Sequence, residues 1–219
     1  MPAVTEASYL STTRTAYDAA AVRYAEQVGD HLVDLPLDRA LIAAFAELVR
    51  ATDAGPVADL GCGPGRVTAH LHSLGLPAFG VDLSPTMIDL ARQAHPDLRF
   101  EVGSMTDLDI GDGTLAGVLA WYSIIHTPPE ELPAVLTELH RVLAPGGHLL
   151  VAFFQADDES GVLAEPFDHR VTPGYRWSVD GFAELLHKAG FTESARLRRE
   201  PNETERFPRG HLLVRKPAG

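Results

Sequence analysis

Apolar residues recur along this chain at two periods. Short all-apolar runs read as buried strands, and stretches with apolar positions every three or four residues read as amphipathic helices. After a loose lead-in over residues 1–12, Tyr17, Ala20, Ala21, Tyr24 and Val28 share one helical face from about Thr13, ending near Gly29. Leu37, Ala40, Leu41, Ala44, Phe45 and Leu48 share a second over about 36–50, closed by Gly55-Pro56. Val57–Leu60 is a first strand, and Val67, His70, Leu71 and Leu74 resume a helical face after three glycines. A second strand spans 78–81, followed by Ser84 as N-cap, Pro85 at the first helical position, and Met87, Leu90, Ala91 and Ala94 on a helix. Leu98–Val102 and Leu115–Ala120 are further strands.

Thr127 and Glu130 pattern as a capping pair before a helix carrying Leu132, Val135, Leu136, Leu139 and Val142, with Pro133 dividing its first turn from the rest. Pro145-Gly146-Gly147 turns into a strand over His148–Phe154. Residues 155–177 carry no clear period and read as one long loop. Ser178 caps a last helix with Phe182, Leu185, Leu186 and Ala189, stopped by Gly190. Strands near Glu193–Arg199 and His211–Arg215 pair as an antiparallel edge hairpin. Alternating strands and helices predict an α/β fold with a mainly parallel, doubly wound sheet and right-handed crossovers, preceded by two extra N-terminal helices.

The chemistry concentrates where the first strand breaks. Asp59-Leu60-Gly61-Cys62-Gly63-Pro64-Gly65-Arg66 is a strand–turn–helix junction whose glycines let a ligand approach backbone N–H groups at a helix N-terminus. A dinucleotide fingerprint is G-x-G-x-x-G; here the spacing is G-x-G-x-G and Arg66 stands where the last glycine belongs. No G-x-x-x-x-G-K-[ST] run exists either. Asp82, at the carboxyl end of the second strand, stands where doubly wound folds use an acid to accept hydrogen bonds from ribose hydroxyls; the alternative is a helix-capping role. Cys62, the single cysteine, is either a small residue in a crowded turn or a thiol nucleophile. It excludes an intrachain disulfide and a cysteine-built metal site.

Composition narrows the classes further. The chain has 219 residues, 45% hydrophobic and 22% charged, which suits a single α/β domain over 1–219. Its formal charge of −12 repels phosphate backbones and predicts no nucleic-acid partner. No run is long and apolar enough for a membrane span, and Met1–Glu6 lacks a signal-peptide pattern, so a cytoplasmic location is expected.

The Asp59–Gly65 motif, Asp82-Leu83-Ser84, Met87, the Arg141–Gly147 turn and Ala189-Gly190-Phe191 together resemble small class I S-adenosylmethionine-dependent methyltransferases over about residues 13–216. The resemblance implies a Rossmann-like seven-stranded sheet in the order 3-2-1-4-5-7-6, with strand 7 antiparallel. It implies S-adenosylmethionine as methyl donor, S-adenosylhomocysteine as product and no metal. Donor-site candidates are then Tyr17, Asp59, Gly61, Cys62, Gly63, Gly65, Arg66, Asp82, Leu83, Met87, Ser104, Met105, Trp121 and Tyr122. Asp59 is placed to meet the donor ammonium, directly or through water. Tyr17, Trp121 and Tyr122 offer aromatic faces to the sulfonium, with core packing as the alternative. Ser104-Met105 depart from the family's third motif, where an acid often follows the glycine.

With no accessory domain, a small-molecule acceptor is expected, reached by an O, N or C nucleophile, in a monomer or homodimer. The N-terminal helices at about 13–50 and the 155–177 segment roof the acceptor side. His126 is the candidate base, with His169 its rival on the loop, and a helix-starting role is the alternative for His126. Two rival functions share the fold: a cofactor-binding protein without methyl transfer, and a nicotinamide-dependent oxidoreductase, disfavoured by Arg66 and the absence of a Tyr-x-x-x-Lys pair.

Overall fold

A computed structural model describes residues 8–28, 35–52, 55–157 and 161–218. Its order is α1 (Ser8–Val28), α2 (Pro36–Arg50), β1 (Val57–Leu60), α3 (Arg66–Ser73), β2 (Ala78–Asp82), α4 (Pro85–Ala94), β3 (Phe100–Val102) and β4 (Leu115–Trp121). It continues with a single 3-10 turn (Ile124–His126), α5 (Leu132–Val142), β5 (Leu143–Phe154), β6 (Ala164–Phe167), β7 (Gly174–Trp177), α6 (Val179–Lys188), β8 (Thr192–Arg199) and β9 (Arg209–Arg215). Seven strands form one sheet in the order β3-β2-β1-β4-β5-β9-β8. β1 through β5 pair in parallel, and β9 runs antiparallel to both β5 and β8. With β8 and β9 as sixth and seventh sheet strands, this is the predicted order and sense.

Alternate residues of each strand face opposite layers, as the two-residue period requires. On one face Ala58, Leu60, Phe79, Val81, Val118 and Val151 meet the apolar stripes of α5 and α6. On the other, Val57, Ala78, Ala116 and Leu150 meet Ile42, Phe45, Ala46 and Val49 of α2 and Leu71 of α3. A smaller cluster joins Cys62, Ile88, Ala91 and Phe100 beneath the glycine turn.

Local rules held where capping was explicit. Ser84 accepts from Met87 N at 3.1 Å and Ser178 from Gly181 N at 3.2 Å, and all five predicted apolar residues of α5 are buried. Elsewhere the structure corrects the reading. Helix α1 begins at Ser8, absorbing residues 8–12, because no glycine or proline interrupts it there; its predicted end near Gly29 lies outside the described residues. The buried face of α2 is Asp38, Ile42, Phe45, Ala46 and Val49, whereas Leu37 is 50% and Leu48 39% exposed. A buried carboxylate displaced the register that hydrophobicity alone suggested. No side-chain cap from Thr127 or Glu130 forms; α5 starts at Leu132 with Pro133 in its first turn.

The 155–177 segment is not one unpatterned loop. It holds the antiparallel hairpin of β6 and β7, registered from Ala164 opposite Trp177 to Phe167 opposite Gly174. Pro166 hid the first strand, since a proline demotes a short run, yet a two-stranded ribbon tolerates it. The hairpin docks through Trp177, which is fully buried against Phe182, the two rings meeting edge to face at 5.5 Å.

Candidate active site

The carboxyl ends of β1, β2 and β4 open into one cleft, roofed by α1, where an open α/β sheet places its ligand. At its base, the N–H groups of Gly61 and Cys62 both donate to Val81 O, at 2.7 and 3.1 Å, folding the turn back onto β2. The three glycines serve different ends. Gly61 (φ 71) has no room for a Cβ, which would sit 2.2 Å from Ser123 Cβ, and Gly65 (φ 83) packs against the Phe100 ring. Gly63 (φ 52) faces open space and leaves its backbone accessible from the cleft.

Asp82 ties this turn to the next one. Its Oδ2 accepts from Gly63 N and its Oδ1 from Ser84 N, both at 2.8 Å. Burial raises its pKa, and these two N–H groups oppose that rise by favouring the carboxylate. Asp59 lies behind the turn, where Thr68 Oγ1 donates to its Oδ2 at 2.6 Å. Complete burial drives its pKa up to about 7, against the opposing effect of Thr68.

Helix α1 lies over the start of α4. Ser84 Oγ donates to Asp18 Oδ1 at 2.5 Å, Thr86 N donates to the same oxygen at 3.2 Å, and Arg14 Nε donates to Leu83 O at 3.3 Å. Tyr9, Leu10, Thr13, Arg14, Tyr17 and Tyr24 therefore line the roof. Tyr17 Oη lies 2.8 Å from His126 Nε2, while His126 Nδ1 lies 3.0 Å from Pro173 O. A carbonyl only accepts, so Nδ1 carries the proton, Nε2 is bare, and the Tyr17 hydroxyl donates to it. Burial lowers the pKa of His126 and raises that of Tyr17 well above its ordinary value.

The fourth strand ends in strain. Tyr122, at φ 54, is the one non-glycine residue with positive φ among the described residues, a conformation that costs a bulky side chain on the order of 1–3 kcal/mol. Its ring packs on Trp121 and Phe154 and under the Arg209 guanidinium, and its hydroxyl lies 3.4 Å from His211 Nε2. Behind it runs a buried charge network. Asp38 of α2 meets Arg199 Nε at 3.1 Å and His211 Nε2 at 3.8 Å, and Arg199 and Arg209 both hold Glu205.

Of the residues singled out from the sequence, Tyr17, Gly61, Gly63, Asp82, Leu83, Met87, Ser104, Met105, Trp121, Tyr122 and His126 come together on the cleft. Asp59, Cys62, Gly65, Arg66 and His169 do not line it. Asp59 is enclosed by its own strand and α3, so no direct contact with a ligand ammonium is available to it. Burial pushes the Cys62 thiol pKa well up, and its sulfur lies against Gly80, which ends the nucleophile alternative. Gly65 and Arg66 cap and begin α3. His169 sits beside the His126 ring at 5.1 Å, its pKa driven down to about 4 by burial, then by His126 and Arg170. Tyr9, Arg14, Asp18 and Ser123 were missed. For α1 a signal existed, because positions 10, 13, 14, 17 and 24 repeat at helical spacing. For Ser123, which only the folded turn brings against Gly61, there was none.

The cleft fits a donor with a ribose, a zwitterionic tail and a sulfonium. It takes in about 880 Å³ of non-atom space, the open solvent at its mouth included. Asp82 presents a pinned carboxylate, Gly63 presents open backbone, and aromatic rings line the β4 side. Two buried hydroxyls on its wall, Tyr9 Oη and Ser123 Oγ, have no hydrogen-bond partner among the described residues. Among the described residues no group of three or more His, Cys, Asp or Glu could hold a metal, and no helix is long and apolar enough to cross a membrane.

Sheet order, glycine turn and acidic strand end define the Rossmann-like methyltransferase fold. Residues 57–147 match the profile of the family described as a methyltransferase domain, and the chain is similar to class I S-adenosylmethionine-dependent methyltransferases. It is 29% identical over 182 residues to an N-demethylindolmycin N-methyltransferase of Streptomyces griseus, covering 69% of this chain and 77% of that one. It is 31% identical over 138 residues to a demethylmenaquinone methyltransferase of Beutenbergia cavernae, covering 63% of this chain and 56% of the relative. The chain thus spans little more than half the length of the second relative. A solved structure of Burkholderia thailandensis 1,6-didemethyltoxoflavin-N1-methyltransferase, with 1,6-didemethyltoxoflavin and S-adenosylhomocysteine bound, superposes with a TM-score of 0.72 at 23% identity, covering 99% and 92% of the two chains.

Proposed function

We propose that this chain is one catalytic domain that moves the methyl group of S-adenosylmethionine to a small-molecule acceptor bound beneath α1 and the β6–β7 hairpin. The observation that carries the donor assignment is Asp82, held by Gly63 N–H and Ser84 N–H with its outward lone pairs on the cleft. In this reading those lone pairs accept from the two ribose hydroxyls. The glycine turn and the start of α3 receive the methionine carboxylate. Leu83, Met87, Ser104 and Met105 flank the adenine, and Tyr17, Trp121 and Tyr122 face the sulfonium. Asp59 acts through Thr68 by fixing the turn.

A sulfonium is already a good leaving group, so the work left to the chain is to position the acceptor and exclude water. The roof made by α1 serves both. The S. griseus and B. thailandensis proteins, both named N-methyltransferases, support a small acceptor. The charge of −12 argues against a nucleic acid.

Calorimetric titration with S-adenosylmethionine, S-adenosylhomocysteine and a nicotinamide dinucleotide tests the donor. Micromolar binding of the first two and none of the third is expected; the reverse pattern overturns the reading. Release of S-adenosylhomocysteine on adding small-molecule pools then separates transfer from binding without turnover.

A further inference from the structure

Resting on that reading of the cleft, we infer that Tyr17 and His126 act together as a proton relay, selecting an acceptor with an acidic, planar X–H group: a phenol, an enol or a heteroaromatic ring N–H. His126 donates from Nδ1 to Pro173 O, so its bare Nε2 receives the Tyr17 hydroxyl proton. The Tyr17 oxygen then has only lone pairs left for the cleft. Whatever faces it must be a hydrogen-bond donor, and a carboxylate, which brings more lone pairs, is repelled.

The same geometry gives the proton a path. As the acceptor atom X gains a bond to the methyl carbon and the sulfur–carbon bond breaks, X–H gives its proton to Tyr17 oxygen, and Tyr17 gives its own to His126 Nε2. The charge lost from the sulfonium reappears on the imidazolium, and no further reactant is needed. Neither residue alone suffices: Tyr17 holds its proton tightly, and the bare Nε2 of His126 is taken up by the Tyr17 hydroxyl.

Acidity follows from what surrounds the pair. Asp82 on β2 and Tyr24 on α1 face Tyr17; His169 faces His126 from the β6–β7 turn, with Arg170 acting on His169, and Pro173 O accepts from the far nitrogen of His126. Burial leaves His126 a weakened base. A weakened imidazole matches a ring N–H or a phenol and leaves an aliphatic alcohol, a far weaker acid, with its proton in place. Planarity follows from the walls, which are lined by the aromatic side chains Trp121, Tyr122 and Tyr24 and the thioether of Met105.

The test measures binding before turnover. The protein is first titrated with S-adenosylhomocysteine; failure at that stage counts against the donor site and leaves the relay aside. With that compound bound, 4-nitrophenol, 4-nitroanisole and 4-nitrobenzoate are compared. The phenol is expected to bind at least about tenfold more tightly than either of the others, and in its neutral form, read from loss of the phenolate absorbance. Tyr17→Phe should bring the phenol-to-anisole ratio to near one. His126→Gln, which cannot take the proton, should lower turnover of a phenolic or ring N–H acceptor by at least ~10². Equal binding of the three probes, absence of phenol binding to a protein that holds S-adenosylhomocysteine, or an unchanged ratio in Tyr17→Phe overturns the relay.

Discussion

On the β1–β2 side of the cleft, chemistry is presented by backbone groups and residues close in sequence; on the β4–β9 side it is presented by side chains gathered from distant segments. Asp82 reaches Gly63 across 19 residues and Ser84 across 2. Tyr17 reaches His126 across 109, and Arg199 reaches Asp38 across 161. In the proposed reading the first arrangement meets the methyl donor and the second the acceptor. The second is free to differ without disturbing the first, because the two meet at α1 and the end of β4. That reading makes the donor half a matter of turn geometry and the acceptor half a matter of tertiary packing.

The comparison breaks most severely at Asp82. Two charge-assisted hydrogen bonds to a ribose, at about 1.5–3 kcal/mol each, make Asp82→Ala lose about a hundredfold or more in donor affinity. Calorimetry with S-adenosylhomocysteine reads the loss, and a melting temperature near that of the parent would show that the fold survived. Affinity within a few-fold of the parent would mean the donor half is not where this division puts it.

Arg199→Ala asks the converse. It leaves Asp38, which has no solvent exposure, without its guanidinium, and leaves Glu205, whose pKa is lowered to about 2 chiefly by Arg199, to Arg209 and the Asn202 N–H. Removing one partner of such a buried pair costs about 3–5 kcal/mol. Urea unfolding should show that loss while donor affinity of the folded protein stays within a few-fold. A variant as stable as the parent would reduce the network to surface decoration.

A third effect belongs to the donor half and carries a sign. The Asp59 carboxyl has its pKa raised from 3.8 to about 7 in the folded protein. Its contribution to stability is therefore fully present below pH 3.8 and is lost as pH rises through 7. Between pH 5 and pH 8 that linkage removes about 2–3 kcal/mol from the parent. Asp59→Asn, which cannot ionise, should lose correspondingly less across the same interval in parallel urea titrations. Identical pH slopes in parent and variant would show that Asp59 does not titrate there.

The same division explains what could be read from the chain alone. The alternation of strands and helices, the glycine turn, Asp82 and the Ser84 cap were legible because each is a local pattern with a local cause, whereas the sheet order followed from the family resemblance. The α2 face was misread because Asp38 is buried, and its partner Arg199 lies on the far edge of the sheet. The β6–β7 hairpin was invisible because four-residue strands with a proline have no period to detect. His126 was visible as a histidine at a strand end, but its tautomer depends on Pro173 and Tyr17, which only folding brings to it.

The smallest effect tests the seam between the halves. Asp18 sits on α1 yet accepts from Ser84 Oγ and Thr86 N at the start of α4, two residues from Asp82. Those bonds and the nearby Arg14 contact to Leu83 O fasten the roof to the donor half. Asp18 is partly exposed, so Asp18→Ala should cost only about 1 kcal/mol, or some fivefold in the population of the fastened state. Hydrogen exchange of α1 amides should quicken by that factor, and donor affinity should weaken by no more than it. Exchange in α4 should change little, since Ser84 still caps Met87 N. If α1 exchanges at the parent rate, the roof is held by Tyr17 on the acceptor side, and the seam runs between α1 and α4 instead of between α1 and the 3-10 turn after β4.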